Sequence, residues 1–273
     1  RNMKLDLLRR RSLTHAISAF VTSCMIILIL MATSTTGSAQ LYIDGDNLTA
    51  STSNILVTFK GADLVRLRNR LTGEDYIKSF TPGKSMLNLN MLKEPVGQRY
   101  VSVGGWHRGS GTAGVNSTGN DLAAQIHLRD LVRNVVVNVI IDPETQDVTV
   151  TMMASANRDG VTGLTWGVKG IDLTSGYFAL PANGGIMLDH ATTPATCEFN
   201  YPGQWEAQTA VWQGKGGGFV LYTRDERVRY KQFKLERKGD FADLSVNTLA
   251  MGSYKLSGDV PQVEWRLNTF KGD

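Results

Sequence analysis

Histidines and neighbouring carboxylates are the residues of this sequence whose chemistry suits acid–base catalysis. His107 stands beside Trp106 in the Gly/Ser-rich stretch GGWHRGSGTAGVNSTGND, which is typical of a long loop, and His190 follows Asp189 in PANGGIMLDHATTP. His127 lies in AAQIHL, a pattern that favours a strand. Imidazole and carboxylate side chains in loops can exchange protons with a substrate, but no spacing here defines such a pair. We therefore predict no catalytic residue from these positions.

Aromatic side chains near turns give a clearer indication of a ligand. Tyr201 and Trp205 lie in EFNYPGQWEAQ, where turn residues limit burial, and Trp106 adjoins His107. An aromatic ring can stack on the C–H face of a sugar, while nearby amides and carboxylates bind its hydroxyl groups. Core or rim packing is the alternative for each aromatic taken singly. We predict a carbohydrate-binding site formed by Trp106, His107, Tyr201 and Trp205.

The stretch WQGKGGGFVLYT has the composition of a phosphate-binding loop but not its pattern. Lys215 is followed by Gly216 instead of Ser or Thr, and the stretch leads into a strand instead of a helix. It therefore predicts a tight turn between strands. Cys197, in the loop-like stretch ATTPATCEFNYPG, is the only cysteine after residue 39, and alone it forms neither an intrachain disulfide nor a zinc site. We expect no cofactor and no metal.

The stretch RDERVRYKQFKLERK concentrates positive charge. Arg227, Arg229 and Lys231 alternate with apolar residues, which predicts a solvated strand face, and a bulge then turns Phe233 and Leu235 inward. Acidic residues within the stretch dilute its charge. It therefore predicts no binding site for a polyanion.

Residues 1–39 have the organisation of a helical secretory signal peptide. Lys4 and three consecutive arginines precede the apolar run MIILILMA, and small residues end at Ala39. We expect a secreted or periplasmic protein, with an uncleaved membrane anchor as the alternative and no other membrane association. Removing the five basic residues and one acidic residue of this segment from the totals of 29 and 25 leaves 24 of each. A formally neutral chain lacks the electrostatic footprint of a nucleic-acid-binding protein.

Residues 40–273 have a β pattern almost throughout. Alternating apolar residues predict a hairpin from ILVTF (55–59) and LVRLRN (64–69), and another from RNVVVNVIID (133–142) and VTVTMMA (148–154). Further short strands follow, with turn signals between them and no amphipathic helix of three turns. The sequence therefore predicts one all-β domain, a large antiparallel two-sheet β-sandwich.

One series of segments is distinctive in its order along the chain: NILVTFKGADLVRLRNRLTGEDYI, VTVTMMASANRDG, LTWGVKGIDL, YFALPANGGIML, NYPGQWEAQTAVWQGKGGGFVLYTRDE and VEWRLNTFKGD. This series resembles the N-terminal β-sandwich of secreted bacterial glycoside hydrolases, including the endo-α-N-acetylgalactosaminidase-like group. The resemblance covers most of residues 50–273 and implies a galactose-mutarotase-like supersandwich. It also implies that the catalytic carboxylates lie in a C-terminal barrel of the same polypeptide, beyond Asp273, so no catalytic residue is carried over.

The function implied by the resemblance is that of an accessory domain. We expect the domain of residues 40–273 to be truncated before a catalytic barrel, to pack on that barrel, and to serve an enzyme that cleaves oligo- or polysaccharides. A stand-alone carbohydrate-binding protein of the envelope is one alternative. A mutarotase-like epimerase, with His107 or His190 as acid and Glu206 as base, is another.

Overall fold

A computed structural model of the chain describes residues 39–79, 85–92, 100–102, 112–129, 133–156, 160–249 and 263–272. The part of the chain from Ala39 to Asp273 forms one compact unit. Within the described ranges there is one 3-10 turn, Leu173–Ser175, and no α-helix. No helix in those ranges has the length and apolar character needed to cross a membrane.

The regular structure of these ranges is a series of β-strands. In chain order they are β1 (Gln40–Asp44), β2 (Asn47–Ser51), β3 (Ile55–Lys60), β4 (Asp63–Asn69), β5 (Asn88–Leu92), β6 (Tyr100–Ser102), β7 (Thr112–Asn120), β8 (Ala123–Arg129), β9 (Arg133–Ile141), β10 (Val148–Ala156), β11 (Val161–Asp172), β12 (Gly176–Leu180), β13 (Ile186–Leu188), β14 (Thr196–Tyr201), β15 (Thr209–Gly214), β16 (Gly217–Tyr222), β17 (Lys231–Lys238), β18 (Phe241–Leu249) and β19 (Glu264–Lys271).

These strands form two sheets. Sheet A has the order β1-β2-β3-β4-β11-β18-β17-β14, with β5 attached to β11 and β6 attached to β5. Its pairs are antiparallel except for the parallel contact of β4 with β11. Sheet B has the order β13-β12-β15-β16-β19-β10-β9-β8-β7 and is antiparallel throughout its described pairs.

Alternation of apolar and polar residues determines which side of each strand turns inward. In β9, Val135, Val137 and Val139 are fully buried, and in β19, Trp265 and Leu267 are fully buried. Because successive side chains of a strand point to opposite faces, each of these strands contributes one face to a core. The inward faces of both sheets share a single hydrophobic core. The predicted fold class, a large antiparallel two-sheet β-sandwich, is confirmed.

Aromatic side chains connect the two sheets. Trp205, in the connection from β14 to β15, lies nearly parallel to Trp265 of sheet B, with ring centroids 6.4 Å apart. It also contacts Phe233 of sheet A, at 5.7 Å between centroids. Burying a large apolar side chain stabilises a fold by about 2–3 kcal/mol, so these rings are a substantial part of the contact between the sheets.

The turns predicted between strands are present where the alternation is clear. β3 pairs with β4 and β9 pairs with β10, as the two predicted hairpins require. The glycine-rich stretch around Lys215 forms the tight turn between β15 and β16. Phe233 and Leu235 face the core, as predicted.

The predicted solvated strand face at residues 227–231 is wrong. The strand begins only at Lys231, whose side chain is fully buried, and Val228 has a positive φ of 53° in the preceding turn. The chain turns here because Asp225 draws Arg229 and Lys231 onto one carboxylate. Arg229 and Lys231 thus form an ion cluster with Asp225, whereas Arg227 is exposed.

Two stretches expected to be loops contain strands. β7 lies within GGWHRGSGTAGVNSTGND and pairs with β8, and β14 lies within ATTPATCEFNYPG and pairs with β17. The β7 sequence, TAGVNSTGN, is rich in Gly and Asn, which do not signal a strand, and its pairing forms because β8 supplies the hydrogen-bonding partners. The β14 sequence, TCEFNY, does alternate polar and apolar residues, but prolines on both sides favour a loop.

Candidate carbohydrate-binding surface

The outward face of sheet B carries a polar row that crosses four strands. Gln125 of β8 pairs with Asn138 of β9, Asn138 pairs with Thr151 of β10, and Thr151 pairs with Glu264 of β19. Their chain neighbours are buried in the core: Ile126, Val137, Met152 and Trp265. The alternation that builds the core therefore places these four polar side chains together on the other side of the sheet.

Hydrogen bonds order one end of this row. Nε2 of Gln125 donates to Oδ1 of Asn138 over 2.8 Å. Nε2 of His127 lies 3.1 Å from Oε1 of Gln125, so the tautomer with its proton on Nε2 donates to that oxygen. The three side chains are thereby held in a fixed arrangement, as a preorganised binding surface requires.

Arg266 lies beside Glu264 at the other end of the row. Nε of Arg266 donates to Oε1 of Glu264 over 2.6 Å, and Nη1 lies 3.3 Å from Oδ2 of Asp147. Burial disfavours the charged guanidinium, but its bonds to Glu264 and Asp147 outweigh that effect and raise the pKa of Arg266. Glu264 keeps 46% of its side chain exposed, so it can still meet a ligand.

Asp147 is the buried support of this end. Its carboxylate is 2% exposed and accepts hydrogen bonds from Tyr222 at 2.5 Å, Asn268 at 2.7 Å and Thr145 at 2.8 Å. Burial, together with the hydrogen bond to this carboxylate, raises the pKa of Tyr222. Asp147 therefore positions its neighbours and has little surface of its own for a ligand.

This geometry favours binding over acid–base chemistry. Gln125 and Glu264 are three strands apart, which corresponds to about 14 Å at the usual strand spacing, and His127 lies two residues further along β8. Two groups that act on one glycosidic bond stand about 5–9.5 Å apart. His127 and Glu264 are too distant for that task, whereas amide, hydroxyl and carboxylate groups in a row can bind the hydroxyls of a sugar.

Trp205 does not lie where the sequence suggested. The prediction that turn residues limit its burial is wrong, since it is 1% exposed. Its indole Nε1 donates to the carbonyl of Thr209 over 2.9 Å, and Trp265 and Phe233 pack against its ring. In this position Trp205 has no face open to a sugar.

Tyr201 is half-buried beside the core. Its ring packs edge-on against Trp205, with centroids 6.3 Å apart. The ammonium group of Lys231 lies 5.0 Å from the centroid of the Tyr201 ring. Trp106 and His107, the other two residues predicted to bind sugar, lie outside the described residues.

The groups considered for epimerase chemistry have separate partners. His190 Nε2 lies 2.9 Å from Oδ1 of Asp240, and Glu206 accepts a hydrogen bond from the backbone N–H of Gly184.

Cys197 is a poor candidate for a nucleophile. Burial raises the pKa of its thiol, which disfavours the reactive thiolate. Among the described residues, no group of three or more His, Cys, Asp and Glu side chains is placed to hold a metal ion.

Sequence reasoning missed the polar row on sheet B. The alternation in β8, β9 and β19 indicates that Gln125, Asn138 and Glu264 point away from the core. It does not reveal which strands are neighbours or in what register. Because β19 pairs with β10 from far along the chain, the row becomes visible only in the folded sheet.

No protein-family model and no curated protein matches this sequence. Among solved structures, the α-galactosidase AgaB of glycoside hydrolase family 36 from Geobacillus stearothermophilus is similar over 84% of this chain and 41% of its own, with a TM-score of 0.52 and 8% identity. AgaA from the same organism, solved with raffinose, is similar over 82% of this chain and 40% of its own, with a TM-score of 0.50 and 9% identity.

A galactose mutarotase related enzyme from Lactobacillus acidophilus is similar over 83% of this chain and 97% of its own, with a TM-score of 0.46 and 9% identity. The chain spans about two fifths of the length of the α-galactosidases it matches. At such low identity the likeness to the α-galactosidases concerns the fold, a large two-sheet sandwich that also occurs within longer sugar-cleaving enzymes.

Proposed function

We propose that this chain is the β-sandwich domain of a secreted glycoside hydrolase that acts on oligo- or polysaccharides, and that it packs on a catalytic barrel of the same polypeptide. The observation that supports this most is the fold shared with AgaB, over 84% of this chain but only 41% of that enzyme. A domain of this kind can thus be one part of a longer hydrolase. The signal-like pattern of residues 1–39 supports secretion.

The coding sequence beyond Asp273 tests this proposal. We expect an open frame that continues into a long segment of alternating strands and helices. The full-length protein should release nitrophenol from a nitrophenyl glycoside in a panel that includes α-galactoside and N-acetyl-α-galactosaminide. The chain up to Asp273 should be inactive on the same panel. A stop codon directly after Asp273 would overturn the proposal.

A stand-alone carbohydrate-binding protein is the second candidate, and the polar row on sheet B favours it. Titration calorimetry with neutral oligosaccharides should then detect binding that the Gln125→Ala and Asn138→Ala variants weaken. Tryptophan fluorescence is a second readout because Trp265 adjoins Glu264 of the polar row. A chain that binds no oligosaccharide by either method would exclude this candidate.

A further inference from the structure

The outward face of sheet A carries a longer polar row, which we call the amide row. Five half-buried residues stand in register across β14, β17, β18, β11 and β5: Asn200, Gln232, Asn247, Thr165 and Asn88. Their chain neighbours are core residues: Phe199, Phe233, Val246, Trp166 and Leu89. At a strand spacing of about 4.8 Å, the row extends for about 19 Å.

Hydrogen bonds among amides hold parts of this row in place. Nε2 of Gln232 donates to Oδ1 of Asn200 over 3.2 Å. Asn90 lies two residues after Asn88 on β5. Its Nδ2 donates to Oδ1 of Asn247 at 3.1 Å and to Oγ1 of Thr165 at 3.0 Å. Side chains fixed in this way lose little freedom when a ligand arrives, and that lowers the entropic cost of binding.

Two buried glycines flank Thr165 at the middle of the row. Gly163 and Gly167 lie on the same face of β11 as Thr165, two residues before and after it. A Cβ at Gly163 would stand 2.9 Å from Oδ1 of Asn247, and one at Gly167 would collide with the carbonyl of Leu244. Close packing of β11 against β18 therefore excludes larger side chains at both positions, and Thr165 between them is half-buried.

Two lysines beside the row are engaged by three carboxylates, which leaves one net negative charge. Lys234 bonds to Glu236 at 2.9 Å and to Glu198 at 3.3 Å, and Lys238 pairs with Asp243. The five row residues themselves are uncharged. A phosphate- or sulfate-bearing polymer would meet cations already engaged by carboxylates, so the surface suits an uncharged ligand.

We propose that the amide row binds a neutral oligosaccharide that lies across the strands of sheet A. Hydroxyl groups both donate and accept hydrogen bonds, as amide and threonine side chains do. A repeating chain of sugars can meet a repeating row of such groups. An extended peptide fits less well, because peptides bind sheets by adding to a strand edge, whereas β17, β18 and β11, in the middle of the row, each have a paired strand on both sides.

Titration calorimetry on the purified chain tests this inference with maltohexaose, cellohexaose and β-1,4-galactohexaose, and with hexagalacturonate as the anionic comparison. We expect at least one neutral hexasaccharide to bind and hexagalacturonate to bind more weakly or not at all. Gln232→Ala should weaken that binding about tenfold, the effect of about one hydrogen bond. Combining Gln232→Ala with Asn247→Ser should reduce binding below detection.

The matched control is Asn134→Ala, which removes an exposed amide of β9 that belongs to neither polar row. It should bind the hexasaccharide as the unmodified chain does, and thermal unfolding should confirm that all variants fold. The inference is overturned if no neutral hexasaccharide binds, if hexagalacturonate binds best, or if Gln125→Ala and Asn138→Ala abolish binding while Gln232→Ala leaves it unchanged. The inference rests on the proposed function for its class of ligand, a sugar. A stop codon after Asp273 would overturn the hydrolase proposal, whereas the calorimetric test of the amide row would not be affected.

Discussion

Asp225 and Lys231 form an ion pair inside the sandwich. Their side chains are 1% and 0% exposed, and Oδ2 of Asp225 lies 2.6 Å from Nζ of Lys231. Arg229 binds the other carboxylate oxygen over 2.6 Å, and Lys231 also donates to the carbonyl of Arg229 over 2.8 Å. The removal of two charges from water is costly and is offset only when each charge keeps its partners. The cluster therefore fixes the turn before β17 because any other conformation leaves a buried charge unpaired.

Substituting Asp225 with Ala should destabilise the fold severely. The change leaves the Lys231 ammonium buried without its counter-ion, so the free energy of unfolding should fall by about 3–5 kcal/mol. Adding Lys231→Met, which keeps an unbranched apolar chain, should restore at least half of the loss. Urea denaturation of the two variants checks this, and equal losses in the single and double variants would contradict it.

Acid should abolish the contribution of Asp225. Burial alone would raise the pKa of its carboxyl group, but hydrogen bonds from Arg229 and Lys231 outweigh burial and hold that pKa well below its usual range. The folded pKa lies below the unfolded value of about 3.9, so the stabilisation is present above about pH 4 and is lost as pH falls toward the folded pKa. Urea denaturation at several pH values should show the gap between the unmodified chain and Asp225→Ala closing below about pH 4. A gap that stays constant down to pH 2 would refute this.

At the scale of elements, two carboxylates have separate roles in the turn between β9 and β10: Asp142 shapes the turn, and Asp147 attaches it to other strands. Asp142 accepts the backbone N–H groups of Glu144 and Thr145, at 2.9 and 3.2 Å, which shapes the turn. Those bonds lower the pKa of Asp142. Asp147 then connects the turn to Tyr222 of β16 and Asn268 of β19. The sheet B hairpin is thus attached to strands that lie far from it in sequence.

Replacing Asp147 with Asn should weaken these attachments while preserving size. The amide loses its charge and one acceptor, so the free energy of unfolding should fall by about 2–3 kcal/mol. Glu144→Gln, at an exposed position of the same turn, is the control and should change it by less than about 0.5 kcal/mol. Urea denaturation decides between them, and similar losses in both variants would show that Asp147 does not have this role.

The sequence reveals those elements whose evidence is local. The strands of β3, β4, β9 and β10 are predictable because each carries its own alternation, and so is the fold class built from them. β7 has no such pattern, and β8 supplies its pairing partner. The alternation of β14 is short and lies between prolines, so its strand was missed although it pairs with β17. Trp205 and Lys231 show the same limit for single residues: their burial depends on Trp265 and Asp225, contacts that no local pattern specifies. Both polar rows were missed because they depend on strand order and register.

At the scale of the whole molecule, β19 is a central strand that joins the two parts of sheet B. It is the last of the described strands in chain order, yet it lies between β16 and β10 and pairs with both. Trp265 and Leu267 place its inward face in the core, while Glu264 and Arg266 lie on the outward polar face. Both faces of the sheet therefore depend on this strand.

Deleting Glu264–Lys271 should abolish cooperative folding, whereas deleting Gln40–Asp44 should not. Without β19, the edges of β10 and β16 are unpaired and the core loses two fully buried side chains, Trp265 and Leu267. Each such loss costs about 2–5 kcal/mol, against a total stability of about 5–15 kcal/mol. β1 is an edge strand that pairs with β2 and has half-buried or exposed side chains, so its removal should lower the urea midpoint but keep one sharp transition. Near-ultraviolet circular dichroism should show ordered aromatic signals in the second deletion and not in the first. A sharp urea transition in the chain that lacks β19 would mean that the two halves of sheet B fold independently of the strand between them.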